Sequence, residues 1–101
     1  MITQEELIRN YQYKIATLEE QEDDLKRGER KVNSIIEQTT TEISAMLRNT
    51  NEDNLEAQQF ARYRLGQLSQ EITDTFLFEK RQIHKKLEES EMEFHRGFRN
   101  L

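Results

Sequence analysis

The chain contains no cysteine, no proline and no tryptophan, and only three glycines among its 101 residues. The lack of cysteine excludes disulfides, thiolate nucleophiles and thiolate metal ligands. The lack of proline and the scarcity of glycine remove the punctuation that sheets and barrels need at their turns, so helix is the one regular structure the chain invites. Hydrophobic residues make up 34%, against roughly 45–50% in an average globular domain counted with glycine. That is too few for a wide core and suits a thin helical bundle. No stretch approaches the roughly 18 apolar residues of a membrane span. The start, Met-Ile-Thr-Gln-Glu-Glu, has neither the basic nor the apolar part of a secretory leader, which predicts a cytoplasmic protein. Twenty acidic and fifteen basic residues give a net charge of −5. The two signs are interleaved, so there is no basic footprint for nucleic acid and no reason to expect a membrane surface as partner.

What is present is a long seam. Ile8, Tyr11, Ile15, Leu18, Leu25, Val32, Ile36, Ile43 and Met46 fall on the a and d positions of one heptad register, the pattern of an amphipathic helix with a coiled-coil stripe. Glu22, Glu29 and Thr39 occupy seam positions as polar interruptions. Thr3 and Glu6 form a capping box at the helix start, and Ile2 and Leu7 stand at the positions of a hydrophobic staple. Gly28 costs about 1 kcal/mol relative to alanine inside a helix, which fits a close backbone approach or a local bend there.

The period stops after Leu47, and residues 48–54 carry no apolar side chain. This predicts a single domain, residues 1–101, built as an all-α antiparallel two-helix hairpin: helix 3–47, turn 48–53, helix 54–100, with Thr50, Asn51 and Asp53 as caps. The second stripe runs from Ala61 and Leu65 through Leu68, Ile72, Phe76, Ile83 and Leu87 to Phe94, Phe98 and Leu101. A turn centred near Asn51 pairs Glu22 with Lys80 as a register-setting ion pair and places Ile8 near Phe94.

Several apolar groups fall off both stripes: Tyr13 and Ile35 in the first half, and Phe60, Tyr63, Leu77, Phe78 and Met92 in the second. A two-helix hairpin satisfies one stripe per helix and buries too little to offset ordering its chain, at about 1.5 kcal/mol per residue against about 25 cal/mol per Å² of apolar area. Further helices are therefore expected, from a second copy or from a different protein. Phe60, Tyr63 and Phe78, with Arg81 and Lys85 as a polar rim, are the expected partner-binding residues.

Catalytic signatures are sparse. His84 and His95 have Glu88 and Glu91 four residues away, but no histidine follows a glutamate by three, as a di-iron bundle would want. The serines lack a glycine-rich elbow. Lys80, Arg81, Lys85 and Lys86 form a basic cluster without the aromatic interleaving that stacks bases. The expectation is a non-enzymatic protein with no metal, cofactor or nucleic-acid site.

About 100 residues, a mid-chain turn, no cysteine, and a charged second helix running Phe-Glu-Lys-Arg-Gln-Ile-His-Lys-Lys-Leu-Glu-Glu from Phe78 to Glu89 together resemble the small helical accessory proteins encoded beside LXG toxins of Gram-positive type VII secretion systems. These are WXG-like helical hairpins. The resemblance implies an adaptor or chaperone that binds the helical amino-terminal region of an LXG toxin, alone or with a second small accessory protein, and helps target it for export. The chain has no Trp-x-Gly turn. Tyr11, Tyr13 and Tyr63 are followed at the fourth place by Ile15, Thr17 and Gln67, and no phenylalanine is followed there by aspartate. Within the family this corresponds to the class without its own export element, exported, if at all, with its partner. The alternative from composition and periodicity alone is a homodimeric four-helix bundle.

Overall fold

A computed structural model describes residues 2–48 and 55–101 of the chain. Two helices account for almost all of them: α1 (Gln4–Arg48) and α2 (Leu55–Arg99), with no strand among the described residues. The fold is the expected all-α helical hairpin. Arg48 closes α1 instead of opening the turn, and α2 is first described at Leu55; the expected turn and its caps Thr50, Asn51 and Asp53 lie outside the described residues. At the start of α1 the Glu6 amide donates to the Thr3 hydroxyl (3.1 Å) and the Leu7 amide to the Thr3 carbonyl (3.0 Å), the bonds of a threonine N-cap.

The chain divides into two compact units. The first joins the opening of α1, up to Lys26, to α2 from Leu77 onward; the second joins Arg27 onward in α1 to α2 up to Phe76. In the first unit Leu18 and Ile83 are the buried hydrophobic residues, and Ser90 is buried beside them. Tyr11 stacks on Phe94 with ring centroids 4.3 Å apart, and Leu7 lies over Gly97, where a β-carbon would come within 3.1 Å of its Cδ1. In the second unit no described residue is buried; Val32, Ile36, Ile43, Leu65, Ile72 and Phe76 are all half-buried.

The stripes do not hold throughout: Leu68, Phe98 and Leu101, expected inward on the second, are exposed. Met46 is exposed, and Leu47 turns inward in its place. A strict seven-residue repeat lags an ideal 3.6-residue helix by about 20° per heptad, so by the fifth heptad from Ile8 the inward position arrives about one residue late.

Across the first unit Glu22 Oε2 lies 2.9 Å from His84 Nε2, one turn beyond the expected Lys80, and Tyr11 stacks on Phe94. Side chains lean toward the N-terminus of their own helix. In an antiparallel pair the two leans are opposite, so touching residues each lie about one position further along the chain than their Cα heights suggest. Counting positions about a turn centre ignores this lean.

Candidate functional site

Along α2 in the first unit, the inward row reads Ile83, Leu87, Ser90, Phe94, Gly97. Two of its five members, Ser90 and Gly97, have little or no side chain. Leu7 fills the space over Gly97, while Ser90, itself buried, lines open space on one side of the helix pair. Three depressions lie between α1 and α2. One lies around Leu7, Asn10, Tyr11 and Ser90 (≈ 80 Å³); the next around Tyr13, Thr17, Leu18 and Ser90 (≈ 330 Å³); and the third around Gln21, Leu25, Gln82 and Ile83 (≈ 380 Å³). The first two share Lys14, Ser90 and Glu93, and the last two share Lys86, so they form one continuous groove. From Leu7 to Leu25 it follows α1 for about 27 Å at 1.5 Å per residue.

The floor of this groove, made by Leu18, Leu25, Ile83 and Ser90, is apolar but for the serine, and its rim is charged. Lys14 and Lys86 stand against Asp24, Glu79, Glu89 and Glu93. Lys14 Nζ donates to Glu93 Oε2 across the groove at 3.1 Å. Tyr13 stands at the edge with 74% of its surface exposed, and its carbonyl accepts a hydrogen bond from the Thr17 hydroxyl. The sequence offered one clue to this site: a serine within an otherwise apolar inward row. Tyr13 was legible as off-stripe, but Thr17, Lys86 and Glu89 carry no periodic signal.

The residues expected to bind a partner are all exposed. Phe60 and Tyr63 belong to the second unit, with 69% and 65% of their surface open, and the Tyr63 hydroxyl accepts a hydrogen bond from Gln67 Nε2 (3.0 Å). Phe78, Arg81 and Lys85 belong to the first unit, and Phe78 is 58% exposed. At 100° per residue Phe78 points about 140° away from Ile83 around α2, off the groove.

Of the expected register pair, Glu22 is half-buried and its carboxylate is divided. Oε1 accepts from Lys26 Nζ at 3.0 Å, and Oε2 faces His84 Nε2 at 2.9 Å. The Lys26 hydrogen bond is the largest influence holding the Glu22 carboxyl below its ordinary range; the charge of Lys26 and the bond to His84 add to it, and partial burial opposes it. Lys80 is half-buried one turn before His84. His95 lies 3.7 Å from Glu91 on its own helix. Among the described residues, no group of three or more His, Asp or Glu side chains is placed to hold a metal, and no helix is long and apolar enough to cross a membrane.

No family model matches the chain, and no curated protein or solved structure matches it either.

Proposed function

We propose that the chain is a non-enzymatic helical binding module, an adaptor or chaperone that binds the helical amino-terminal region of an LXG toxin and helps target it to a type VII secretion system. The observation that carries this reading is the apolar surface left uncovered. Large apolar side chains stand exposed in both units, Tyr13, Phe78 and Met92 in the first and Phe60 and Tyr63 in the second. A helical partner would supply the missing layer, and the resemblance of the charged second helix to the accessory proteins names its class. The protein would act in the cytoplasm, leaving it, if at all, with the toxin.

The test is co-expression with the helical amino-terminal region of an LXG toxin, followed by size-exclusion chromatography with light scattering. The expected result is a stable complex of defined stoichiometry, with the chain alone monomeric at micromolar concentration. A stable dimer that ignores the toxin region would refute the adaptor and establish the homodimeric four-helix bundle in its place.

A further inference from the structure

We infer that the groove of the first unit, floored by Leu18, Ile83 and Ser90 and edged by Tyr13, is the docking seat for a single amphipathic partner helix whose flanks are basic. This rests on the reading of the chain as a helix-binding module and adds to it the surface used and the chemistry of the occupant.

Three features point to the groove and away from the isolated aromatics. The first is geometry. A helix docks most favourably where its ridge enters a channel with two walls. The groove has walls from α1 and α2, whereas Phe78 stands on one helix facing away from the other. The second is the missing volume. Ser90 is the small member of a row of larger residues, and it lines the open depression beside Tyr13 and Leu18, where an incoming apolar side chain has a place to go. The third is Tyr13, a rigid amphipathic ring at the groove edge, which loses little rotamer freedom on burial and suits an interface anchor.

Charge decides the occupant. The rim carries four acids and two bases, and because Lys14 and Glu93 pair with each other the remainder is still acidic in excess. A twofold dimer would bring together two rims of the same net acidic charge. A helix bearing lysine or arginine beside its apolar ridge meets the rim with complementary charge, which sets its orientation and excludes acidic competitors.

The experiment uses two synthetic helical peptides of about 20 residues, long enough to span the groove. They share a leucine ridge and differ only in lysine or glutamate flanks, and their binding to the full chain is followed by fluorescence anisotropy. The lysine-flanked peptide is expected to bind about tenfold or more tightly than the glutamate-flanked one, and to weaken as salt is raised. Ser90→Leu, which fills the hollow from within, and Tyr13→Ala are each expected to weaken it about tenfold. Circular dichroism should leave the helix content of both variants unchanged. Phe78→Ala should alter binding by less than about twofold, and the double variant Glu79→Lys, Glu89→Lys should erase the preference between peptides. Equal affinity for the two peptides, or no binding of the lysine-flanked one, overturns the inference. Loss of binding in Phe78→Ala but not in Tyr13→Ala overturns the groove while leaving the binding module intact. A chain that is a stable dimer and binds neither peptide overturns both.

Discussion

The two units use the same pair of helices and nearly the same number of residues, yet they are held differently. The first has the buried residues Leu18, Ile83 and Ser90, an aromatic stack, and polar links between helices at Lys14–Glu93 and Glu22–His84. The second has half-buried aliphatics, the β-branched run Thr39-Thr40-Thr41 on α1, and a long bond from Gln58 Nε2 to the Leu47 carbonyl at 3.5 Å. Thr40 and Thr41 turn their hydroxyls back to the carbonyls of Ile36 and Glu37, which satisfies the side chain locally and adds nothing between helices. A repeated stripe is thus not enough to give a core. The size of the residues that meet, and what stands opposite them, decides where burial accumulates.

The largest expected effect comes from testing this contrast directly. Leu18→Ala or Ile83→Ala should cost about 2 kcal/mol, toward the lower end for buried aliphatic truncation because the site is open on one side. Ile36→Ala or Ile72→Ala, which remove half-buried side chains, should cost about 1 kcal/mol. Urea unfolding followed by circular dichroism measures both, and hydrogen exchange should show amides of the second unit opening at lower free energy than those around Leu18 and Ile83. Equal costs in the two units would break the comparison.

Much of this architecture was legible in the chain because a helix writes its contacts as a period. Leu18, Leu25, Ile83 and Phe94 could be placed inward from spacing alone, and Tyr13, Phe60, Tyr63 and Phe78 outward. What spacing does not carry is the lean of side chains along each helix, which brings His84 to the Glu22 carboxylate, one turn beyond the expected Lys80. Nor does it carry volume. Ser90 reads as a polar residue on a helix, and only its place between Leu87 and Phe94 opposite Leu18 turns it into a hollow. The groove was illegible because it is made by what is missing from two helices at once.

The glycines sharpen the same contrast with a smaller effect. Gly28 and Gly66 belong to the second unit. A β-carbon at Gly28 would meet Phe76 Cε1 at 3.8 Å, an ordinary contact, and one at Gly66 would meet nothing within 4 Å. No glycine has a positive φ, so alanine fits the backbone at each. Gly28 is therefore not needed for a close approach. Gly28→Ala and Gly66→Ala should each stabilise the protein by about 0.5–1 kcal/mol through helix propensity. Gly97 belongs to the first unit, and a β-carbon there would lie 3.1 Å and 3.4 Å from the two methyls of Leu7. Gly97→Ala should gain less than the other two, because Leu7 must shift to admit it. If all three alanine variants gain equally in melting temperature, Leu7 over Gly97 is not a tight contact.

The smallest effect is the acid dependence of the one polar seam residue that reaches across the first unit. Glu22 is held below its ordinary value of 4.5, chiefly by the Lys26 hydrogen bond, with that ammonium's charge and the contact to His84 adding to it. A carboxyl depressed in the folded state favours folding fully above its unfolded value, and the contribution is lost as pH falls through the folded one. The window therefore lies below about pH 4.5, where Glu22 takes up a proton first in the unfolded chain. Glu22→Gln removes the titration while keeping size and hydrogen-bonding capacity. The melting temperature of the parent should exceed that of Glu22→Gln by a small margin above this window, and the margin should close as pH is lowered through it. The exposure of Lys26 and His84 keeps the margin small and makes it shrink in salt. A difference that stays constant from pH 7 to strongly acidic solution would mean that the ionisation of Glu22 contributes nothing to stability, and that its contact to His84 does not act as an ion pair.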